Sequence, residues 1–377
     1  MTIIPFSSSI FFFVVAAIIA ISYLLKPFIK DKIRYEVFIF AISVLYWTIC
    51  IRDHFIPIVL FILYEYAVLC LYFNKIKKRS PCFILMLLPL IMMKMNCYPT
   101  DLYFLGLSFA SFRTVQLLYY AKAPKLIRFA DFLLFFPIIL SGPIDRYNRF
   151  EKDLESGYRN MNLEHVIFGW RYILLGILQK FFIAESINHF WLSKLSADSL
   201  DISQMAQNAV SYSLYLYFDF AGYSLMAIGV SAMLGILVPQ NFKHPYLAKN
   251  PVEFWQRWHI TLGEWLRDYI FMPVYKWLLR QSFFTDFPLF RQNIALFLTF
   301  QIMGAWHGLQ SHYMVEGALF GLYSITHNSY LYYKRKYSLV TFAKLPIWLK
   351  TVFSRIVMLI FACLGLYAFS GRVPYLR

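Results

Sequence analysis

Residues 292–311 read QNIALFLTFQIMGAWHGLQS. This stretch is as long and as apolar as a membrane-spanning helix requires, which is about 20 residues. His307 is the only ionisable side chain within it. Because a titratable group costs free energy in such a setting, its presence indicates a functional site. The stretch therefore predicts a membrane-spanning helix and a candidate functional residue together.

The composition of the whole chain agrees with this local pattern. Hydrophobic residues make up 60% of the chain, aromatic residues 20% and charged residues 15%, unlike a soluble globular domain. Spanning segments must be helical, because an open sheet cannot satisfy its backbone in lipid. We predict an all-α integral membrane protein with about 10–11 transmembrane helices plus re-entrant and amphipathic helices. The apolar windows are 8–25, 35–51, 54–73, 81–98, 102–120, 166–191, 204–238, 293–311, 313–333 and 345–370.

The formal net charge of +16 could indicate nucleic-acid binding, but the placement of the charges argues otherwise. Basic loops at 26–34, 75–79 and 122–128 alternate with loops near 52–53 and 96–101 that are poor in Lys and Arg. This alternation follows the positive-inside rule and predicts an outside N-terminus with the basic loops in the cytoplasm. We expect the lipid bilayer as the main partner, an acidic protein as a second one, and no nucleic acid.

The cysteines and the first apolar run carry no metal or processing signal. The five cysteines lie singly in apolar segments, and no pair has metal-ligand spacing, so we expect no metal site. The first run lacks a basic segment before it and a small-residue cleavage site after it. This pattern predicts a retained first helix and not a cleaved signal peptide.

Two stretches interrupt the series of spans. The apolar run 129–140 is too short to cross a bilayer, and it ends at Ser141-Gly142-Pro143 before the charged residues 145–153. Such a run is typical of a re-entrant or interfacial element, whose non-helical backbone must be sheltered by protein. Residues 239–245 form the second break. We predict one polytopic domain, with an N-terminal helical layer at 1–128, a functional core at 129–333, and a C-terminal helix and tail at 334–377.

The amphipathic stretch 251–269 opens with a helix-start signal. Asn250 is an N-cap residue, Pro251 takes the first helical position, and Glu253 follows three residues after the cap. A continuous helix would place His259 on a buried aromatic face. The alternative is an interfacial helix with snorkelling arginines. The aromatic face carries Trp255, His259, Leu262 and Leu266. Another face carries Arg257, Glu264 and Asp268.

A lone intramembrane histidine suits proton transfer. Desolvation disfavours the imidazolium, so a buried histidine stays neutral near pH 7 and can accept a proton from a hydroxyl nucleophile. The sequence has no Gly-x-Ser-x-Gly elbow, no Walker loop and no His-Glu-x-x-His motif. Hydrolase triads, nucleotide hydrolysis and zinc proteolysis therefore have no support. The alternative for His307 is a structural hydrogen bond between helices.

Several motifs resemble, in order and spacing, those of the membrane-bound O-acyltransferase family. PVEFWQRWHITL at 251–262, followed by WLRDY at 265–269, resembles its central signature. GAWHG at 304–308 resembles its catalytic histidine motif. YFDFAGYS at 217–224 resembles the segment before the signature in bacterial members. SGPIDRYNRF at 141–150 resembles the branch that transfers D-alanine to the cell envelope.

This resemblance, which covers roughly residues 100–330, implies a fold and a reaction. It implies a ring of helices around a central tunnel in a bacterial cytoplasmic membrane. The donor would be D-alanine on the phosphopantetheine thioester of an acidic carrier protein in the cytoplasm, with no tightly bound cofactor. The acceptor hydroxyl would belong to teichoic acid or a partner protein on the outer side. His307 would act on that hydroxyl, and His259 would position the thioester or stabilise its oxyanion.

Other residues in and after the motifs are candidate binding residues. Each arginine has a structural alternative, which is pairing with Glu264 or Asp268 or contact with lipid phosphate. The alternative for the acidic candidate is a structural ion pair, and that for the basic residues after the signature is contact with lipid. The substrate-binding candidates are Trp255, Arg257, Trp258, Trp306, Asp219 and Tyr223. The carrier-binding candidates are Arg267, Lys276 and Arg280.

Two alternative functions stay open from the sequence. One is an envelope polysaccharide O-acetyltransferase of the same family, which differs in its acyl group. The other is a non-enzymatic transporter or flippase using the same cavity. Transporters often carry paired broken helices in two related halves, and the sequence shows no such repeat.

Overall fold

The computed structural model describes residues 9–50, 54–120, 122–338 and 345–376. This part of the chain consists of helices and turns, without a β-strand. Six of its helices are long and apolar enough to cross a membrane. The prediction of an all-α multi-pass membrane protein is confirmed. The six are Ile10–Phe28, Lys32–Cys50, Phe55–Ile76, Leu163–Lys194, Ile202–Met233 and Ile347–Phe369.

The other four predicted windows are not among these six. The helix in window 81–98 has 16 residues, which is short for a span. Window 102–120 is not one helix, because its α-helical part is only Leu107–Val115 and a 3-10 helix follows. The helices in windows 293–311 and 313–333 are long enough, but they are too polar to meet the same measure. By this measure the described residues do not reach the expected count of about ten spans.

The chain divides into two compact units. The first comprises the described residues of Met1–Leu178 together with Ala221–Gln240. The second comprises Gln179–Phe220 and the described residues of Asn241–Arg377. The helices up to Leu178 are α1 (Ser9–Leu25), α2 (Lys32–Cys50), α3 (Phe55–Leu71), α4 (Arg79–Lys94), α5 (Leu107–Val115), α6 (Leu126–Leu134), α7 (Tyr147–Asn160) and α8 (Leu163–Ile177).

The remaining helices carry most of the second unit. A π-helix at Leu178–Ala184 follows α8, and α10 contributes residues 202–220 to the second unit and 221–233 to the first. These helices are α9 (Glu185–Phe190), α10 (Ile202–Met233), α11 (Pro251–Trp255), α12 (Ile260–Leu266), α13 (Met272–Leu279), α14 (Pro288–His307), α15 (Ser311–Lys336) and α16 (Ile347–Phe369).

In the first unit, α2 packs against α6 and α7, and two of its buried side chains donate hydrogen bonds to neighbouring backbone. The Trp47 indole N–H donates to the Leu134 carbonyl oxygen at 3.0 Å. The Tyr35 hydroxyl donates to the Leu234 carbonyl oxygen at 2.6 Å. Leu134 is the last residue of α6, and Leu234 directly follows the last residue of α10. Carbonyl oxygens at helix ends lack helical partners, so these bonds satisfy groups that would otherwise be unpaired in an apolar interior.

The predicted re-entrant element is too short to span and is sheltered by protein. Helix α6 ends at Leu134, a 3-10 helix follows at Phe136–Ile138, and every residue from 129 to 140 is buried. In the corner that follows, the Arg149 Nε donates to the Asp145 carboxylate at 2.9 Å. The Gln116 side chain donates to the Asp145 carbonyl at 3.0 Å and accepts the Tyr147 N–H at 3.1 Å. An ion pair and two side-chain hydrogen bonds therefore hold this corner.

A close helix contact in the first unit depends on glycine. A Cβ built on Gly229 of α10 would lie 2.6 Å from the Gly169 carbonyl oxygen of α8 and 2.9 Å from the Ile173 side chain. A Cβ on Gly176 would lie 2.6 Å from the Gly222 carbonyl oxygen. Backbones approach this closely in membrane helices only where side chains are small.

We expect Gly229→Val to destabilise the protein by about 1–3 kcal/mol, because the added side chain must displace backbone and not a flexible side chain. The measurement is the thermal midpoint of the purified protein in detergent. Val210→Leu is the matched control, since Val210 is on the same helix and 40% exposed. Equal midpoints for the two variants would show that the contact is not tight.

Candidate functional site

The signature stretch begins as predicted. The Asn250 side chain accepts the Glu253 N–H at 2.9 Å, and Pro251 occupies the first turn of α11. The Glu253 carboxylate accepts the Lys249 N–H at 2.8 Å, so it reaches back past the cap. Each of these bonds satisfies a backbone donor that the first helical turn leaves free. The N-cap prediction is confirmed.

The continuous helix predicted through His259 is wrong. Helix α11 ends at Trp255, and α12 starts only at Ile260 after a turn. The turn is held by a separate segment: the Ile260 N–H donates to the Asn241 carbonyl, and the Lys243 N–H donates to the Arg257 carbonyl, both at 2.9 Å. These backbone bonds replace helical ones. The predicted stripe of Trp255, His259, Leu262 and Leu266 is therefore not one helical face.

His259 sits at the break, in a backbone conformation that non-glycine residues rarely adopt. Its φ is +43°, in the left-handed region. Such strained positions persist only where the surroundings enforce them, and they concentrate at functional sites. The break turns the imidazole onto the aromatic segment before the signature, with ring centroids 4.8 Å from Phe220 and 6.4 Å from Phe242.

The imidazole of His259 is buried without a polar partner. The residue is 4% exposed, and neither ring nitrogen has a hydrogen-bond partner among the described residues. His259 lies outside the candidate spans, and burial lowers its pKa to about 3. The ring is therefore neutral near pH 7, with one N–H donor and one acceptor nitrogen to offer a ligand. Its predicted burial is confirmed, by a different backbone from the one expected.

The tryptophans of the signature pack in two directions. Trp258 is 5% exposed and stacks on Phe254 at 5.7 Å, with Phe242 at 5.2 Å. Trp255 lies against helices α14 and α15, 5.2 Å from Phe300 and 5.0 Å from Phe320. Trp258 thus forms part of the aromatic core. Through Trp255 that core contacts the two helices that carry His307 and its neighbours.

His307 is the last residue of α14, immediately before the Gly308 turn that leads into α15. Its side chain is 20% exposed, so it is more accessible than that of His259. The imidazole ring lies 4.5 Å from the Trp306 ring, 4.8 Å from Phe369 and 5.9 Å from Tyr313. Trp306 is in ring contact with this histidine, and its role in substrate binding stays a prediction.

One carboxyl group beside His307 is absent from the residues predicted from the sequence. The Glu316 Oε1 lies 3.8 Å from the His307 Nε2, and the Glu316 side chain is 3% exposed. The sequence carries a signal for it, because Glu316 is a charged residue inside the apolar window 313–333. Such residues are rare in spans and mark functional or paired positions.

The charged binding candidates of the signature are engaged in ion pairs. Arg257 pairs with Glu253 on the preceding turn, and not with Glu264 or Asp268. The Arg267 Nε lies 2.8 Å from the Asp268 carboxylate. Each guanidinium therefore has a carboxylate that a phosphate ligand would have to displace or share.

The other predicted site residues lie apart from this cluster. Asp219 forms an ion pair with Lys180, as its structural alternative expected. Tyr223 is buried in the first unit, whereas both histidines lie in the second. Lys276 and Arg280 are exposed, one in the last turn of α13 and one directly after it. Within the described residues no three His, Cys, Asp or Glu side chains are grouped to hold a metal ion.

Comparison with known proteins identifies the class. The model of the MBOAT, membrane-bound O-acyltransferase family matches residues 69–370, which include both histidines, both tryptophan-histidine pairs and Glu316. The chain belongs to this family, and it is a membrane-bound acyltransferase. Membership of an acyltransferase family favours an enzyme over the transporter alternative.

The individual relatives include two kinds of acyltransferase, D-alanyltransferases and O-acetyltransferases. The chain is 36% identical over 279 residues to a teichoic acid D-alanyltransferase of Bacillus subtilis, which covers 71% of this chain and 69% of that protein. It is 35% identical to the same enzyme of Streptococcus thermophilus, covering 67% of this chain and 64% of that protein. A peptidoglycan O-acetyltransferase of Helicobacter pylori is 34% identical over 59% of this chain and 41% of that protein.

We expect His259→Leu to keep the stability of the protein at pH 7, because no hydrogen bond of the described residues is lost with the imidazole. The folded pKa of about 3 lies below the usual value of about 6.5. The stability that depends on neutral His259 is therefore present above about pH 6.5 and is lost as the pH falls toward 3. This loss has a slope of up to about 1.4 kcal/mol per pH unit.

The measurement compares denaturant unfolding of wild type and variant at pH 7 and pH 5. The variant should lose less stability between these pH values than the wild type. His189→Leu is the control, because His189 is exposed and should leave the pH dependence unchanged. An identical pH dependence in wild type and His259→Leu would contradict the burial of the neutral ring.

Proposed function

We propose that this acyltransferase moves D-alanine from the phosphopantetheine thioester of an acidic carrier protein to a hydroxyl acceptor on the outer side of the membrane. The observation that carries the proposal is the pair of histidines in the family-matched region, one buried and neutral, the other partly accessible beside a buried carboxyl group. Alignments to D-alanyltransferases cover more of this chain than those to O-acetyltransferases, 71% against 59% for the examples above.

His307 is the base of the proposed reaction. Its imidazole takes the proton of the acceptor hydroxyl as the hydroxyl oxygen attacks the thioester carbonyl carbon. The tetrahedral intermediate then collapses, the carbon–sulfur bond breaks, and the imidazolium returns the proton to the leaving thiolate. The products are the D-alanyl ester and the free thiol of the carrier arm. The 20% exposure of the His307 side chain leaves room for the two reactants to reach it.

His259 has a different role because its ring cannot take up a proton near neutral pH. A pKa of about 3 makes it a poor general base, but its neutral N–H is a hydrogen-bond donor without a partner. Such a donor stabilises the oxyanion that develops on the thioester carbonyl, and it does so most strongly where water is excluded. We assign it this role in preference to proton transfer.

The route of the two substrates follows from the charge of the acyl group. A D-alanyl group carries an ammonium, which is expensive to move through lipid, so donor and acceptor must meet inside the protein. A tunnel between the two sides of the membrane provides such a meeting point. The alternation of basic loops in the sequence supports a carrier on the cytoplasmic side and an N-terminus on the outer side.

Lys276 and Arg280 are the proposed contact for the acidic carrier. They are exposed four residues apart at the end of α13, close in sequence to the signature that carries His259. Arg267 lies one short helical segment earlier, and its pairing with Asp268 leaves the side chain 59% exposed. The basic groups attract an acidic partner and are available to it without breaking a buried ion pair.

The second candidate function is O-acetyl transfer to an envelope polysaccharide. The observation that favours it is the match to O-acetyltransferases, including a probable alginate O-acetylase of Pseudomonas aeruginosa that is 33% identical over 58% of this chain. The two histidines would serve either reaction. The two functions differ in the acyl group, and the donor tested in vitro separates them.

We expect His307→Ala to lower the rate of D-alanyl transfer at least about 100-fold, because general-base catalysis is lost. The assay follows labelled D-alanine from loaded carrier to acceptor in membranes that contain the protein. His327→Ala is the control, since His327 is half-buried on α15 and has no assigned role. Undiminished transfer by a correctly folded His307→Ala protein would exclude His307 as the base.

We expect the double variant Lys276→Glu with Arg280→Glu to raise the KM for the loaded carrier about tenfold while kcat changes little. The charge reversal acts on the encounter with an acidic partner and not on the reacting atoms. Arg335→Glu with Lys336→Glu provides a matched control, because these residues are also exposed and basic at a helix end. A rise in KM of equal size in both double variants would indicate a non-specific charge effect.

A further inference from the structure

The carboxyl group of Glu316 is buried without a permanent counter-charge. Its Oε2 has no hydrogen-bond partner among the described residues, and its ion-pair partner there is His307, which is cationic only when protonated. Arg372 does not supply that charge through an ion pair, because its guanidinium donates to the Asn208 side chain and to the Leu195 carbonyl, at 2.9 and 2.8 Å. A buried carboxylate in this situation is costly unless a ligand supplies the missing cation.

Aromatic rings surround the same place. The Phe369 ring lies 4.8 Å from the His307 ring, 5.4 Å from Tyr313 and 6.5 Å from Tyr212. Tyr313 and Glu316 are three residues apart on α15 and therefore share one face of that helix. Aromatic faces attract cations, and a carboxylate beside them adds a charge of the opposite sign to that of an ammonium group.

The contact with His307 does not explain Glu316 as an orienting residue. A carboxylate that fixes a catalytic imidazole accepts a hydrogen bond from a ring N–H at about 2.7–3.2 Å. The observed 3.8 Å between the Glu316 Oε1 and the His307 Nε2 is outside that range. The buried Oε2 has no hydrogen-bond partner among the described residues, so the carboxyl group has capacity for a further donor.

We propose that Glu316, together with the rings of Tyr212, Tyr313 and Phe369, binds the ammonium group of the aminoacyl unit that is transferred at His307. This inference rests on the proposed acyl transfer and specifies which acyl groups the site accepts. The α-nitrogen of an aminoacyl thioester lies about 2.5 Å from the reacting carbonyl carbon. A carbonyl held within reach of His307 therefore brings its ammonium within reach of the adjacent carboxylate.

The consequence is selectivity for a cationic acyl group. An acetyl or propionyl group on the same carrier has no ammonium group, so it would leave the buried Glu316 carboxyl group without a cation. Sites built around a buried polar partner strongly reject analogues that lack it. The structure thus favours an aminoacyl unit over a plain acyl unit, independently of which relatives the chain matches.

The test compares two donors on one carrier. The carrier is loaded with labelled D-alanyl or propionyl thioester, which differ by the ammonium group, and kcat/KM is measured for each with the full-length protein in proteoliposomes. We expect the wild type to prefer the D-alanyl donor by at least about tenfold. Glu316→Gln should lower kcat/KM for D-alanyl about 10- to 100-fold and leave that for propionyl unchanged or raised.

Two further variants keep the test decisive. Phe369→Leu removes one ring and should lower the D-alanyl rate selectively, about threefold or more. Glu65→Gln neutralises another fully buried carboxyl group, in the first unit, and should leave the donor ratio unchanged. Thermal midpoints confirm that each variant is folded before its ratio is read.

The outcomes separate this inference from the proposed function. If Glu316→Gln lowers kcat/KM for both donors by the same factor, Glu316 acts through His307 alone and the ammonium site is excluded. A wild type that prefers propionyl likewise overturns the ammonium site but leaves acyl transfer intact. If the wild type transfers neither donor while the loaded carrier is intact, the proposed carrier-dependent transfer itself is wrong.

Discussion

Exclusion of water from the interior is the constraint on which the rest of the structure depends. A chain that is 60% hydrophobic and crosses a bilayer has no solvent to satisfy its buried polar groups, so protein atoms must do it. The Trp47 and Tyr35 side chains meet this requirement at carbonyl oxygens, and Gln116 meets it twice at the corner after the re-entrant element. These bonds fix the path of non-helical backbone where lipid would not tolerate it.

The same constraint gives meaning to the groups that remain without protein partners. Both nitrogens of His259 and one oxygen of Glu316 are buried and unsatisfied in the part of the chain that the structure describes. A buried polar group without a partner costs free energy, and the proposed reaction would supply a partner for each: an oxyanion for the neutral imidazole and a cation for the carboxylate. The second unit thus carries one polar group suited to an anion and one suited to a cation. This combination fits the proposed aminoacyl thioester, which has an ammonium group next to its reacting carbonyl.

The sequence was sufficient for features with a local cause. The spans that consist of unbroken apolar runs, the N-cap at Asn250 and the short buried run before Gly142 follow from hydropathy and helix-start chemistry alone. The break at His259 has a distant cause, because residues 241–243 bind the backbone of the turn. Glu316 was visible as a charge in an apolar window, but its distance from His307 depends on how α15 folds back on α14. The residue pattern of a single segment predicts neither the break at His259 nor the distance between Glu316 and His307.

The two histidines have similar sequence contexts, but their surroundings give them different chemical properties. Both follow a tryptophan, yet His259 is 4% exposed with a pKa near 3, whereas the His307 side chain is 20% exposed beside a carboxyl group. Burial among apolar rings opposes protonation of His259, whose imidazole stays neutral near pH 7. The proposed reaction needs one proton acceptor and one neutral hydrogen-bond donor, and it assigns the first role to the more accessible His307 and the second to His259. The same residue type can serve both roles because one ring lies among phenylalanines and the other is partly accessible beside Glu316.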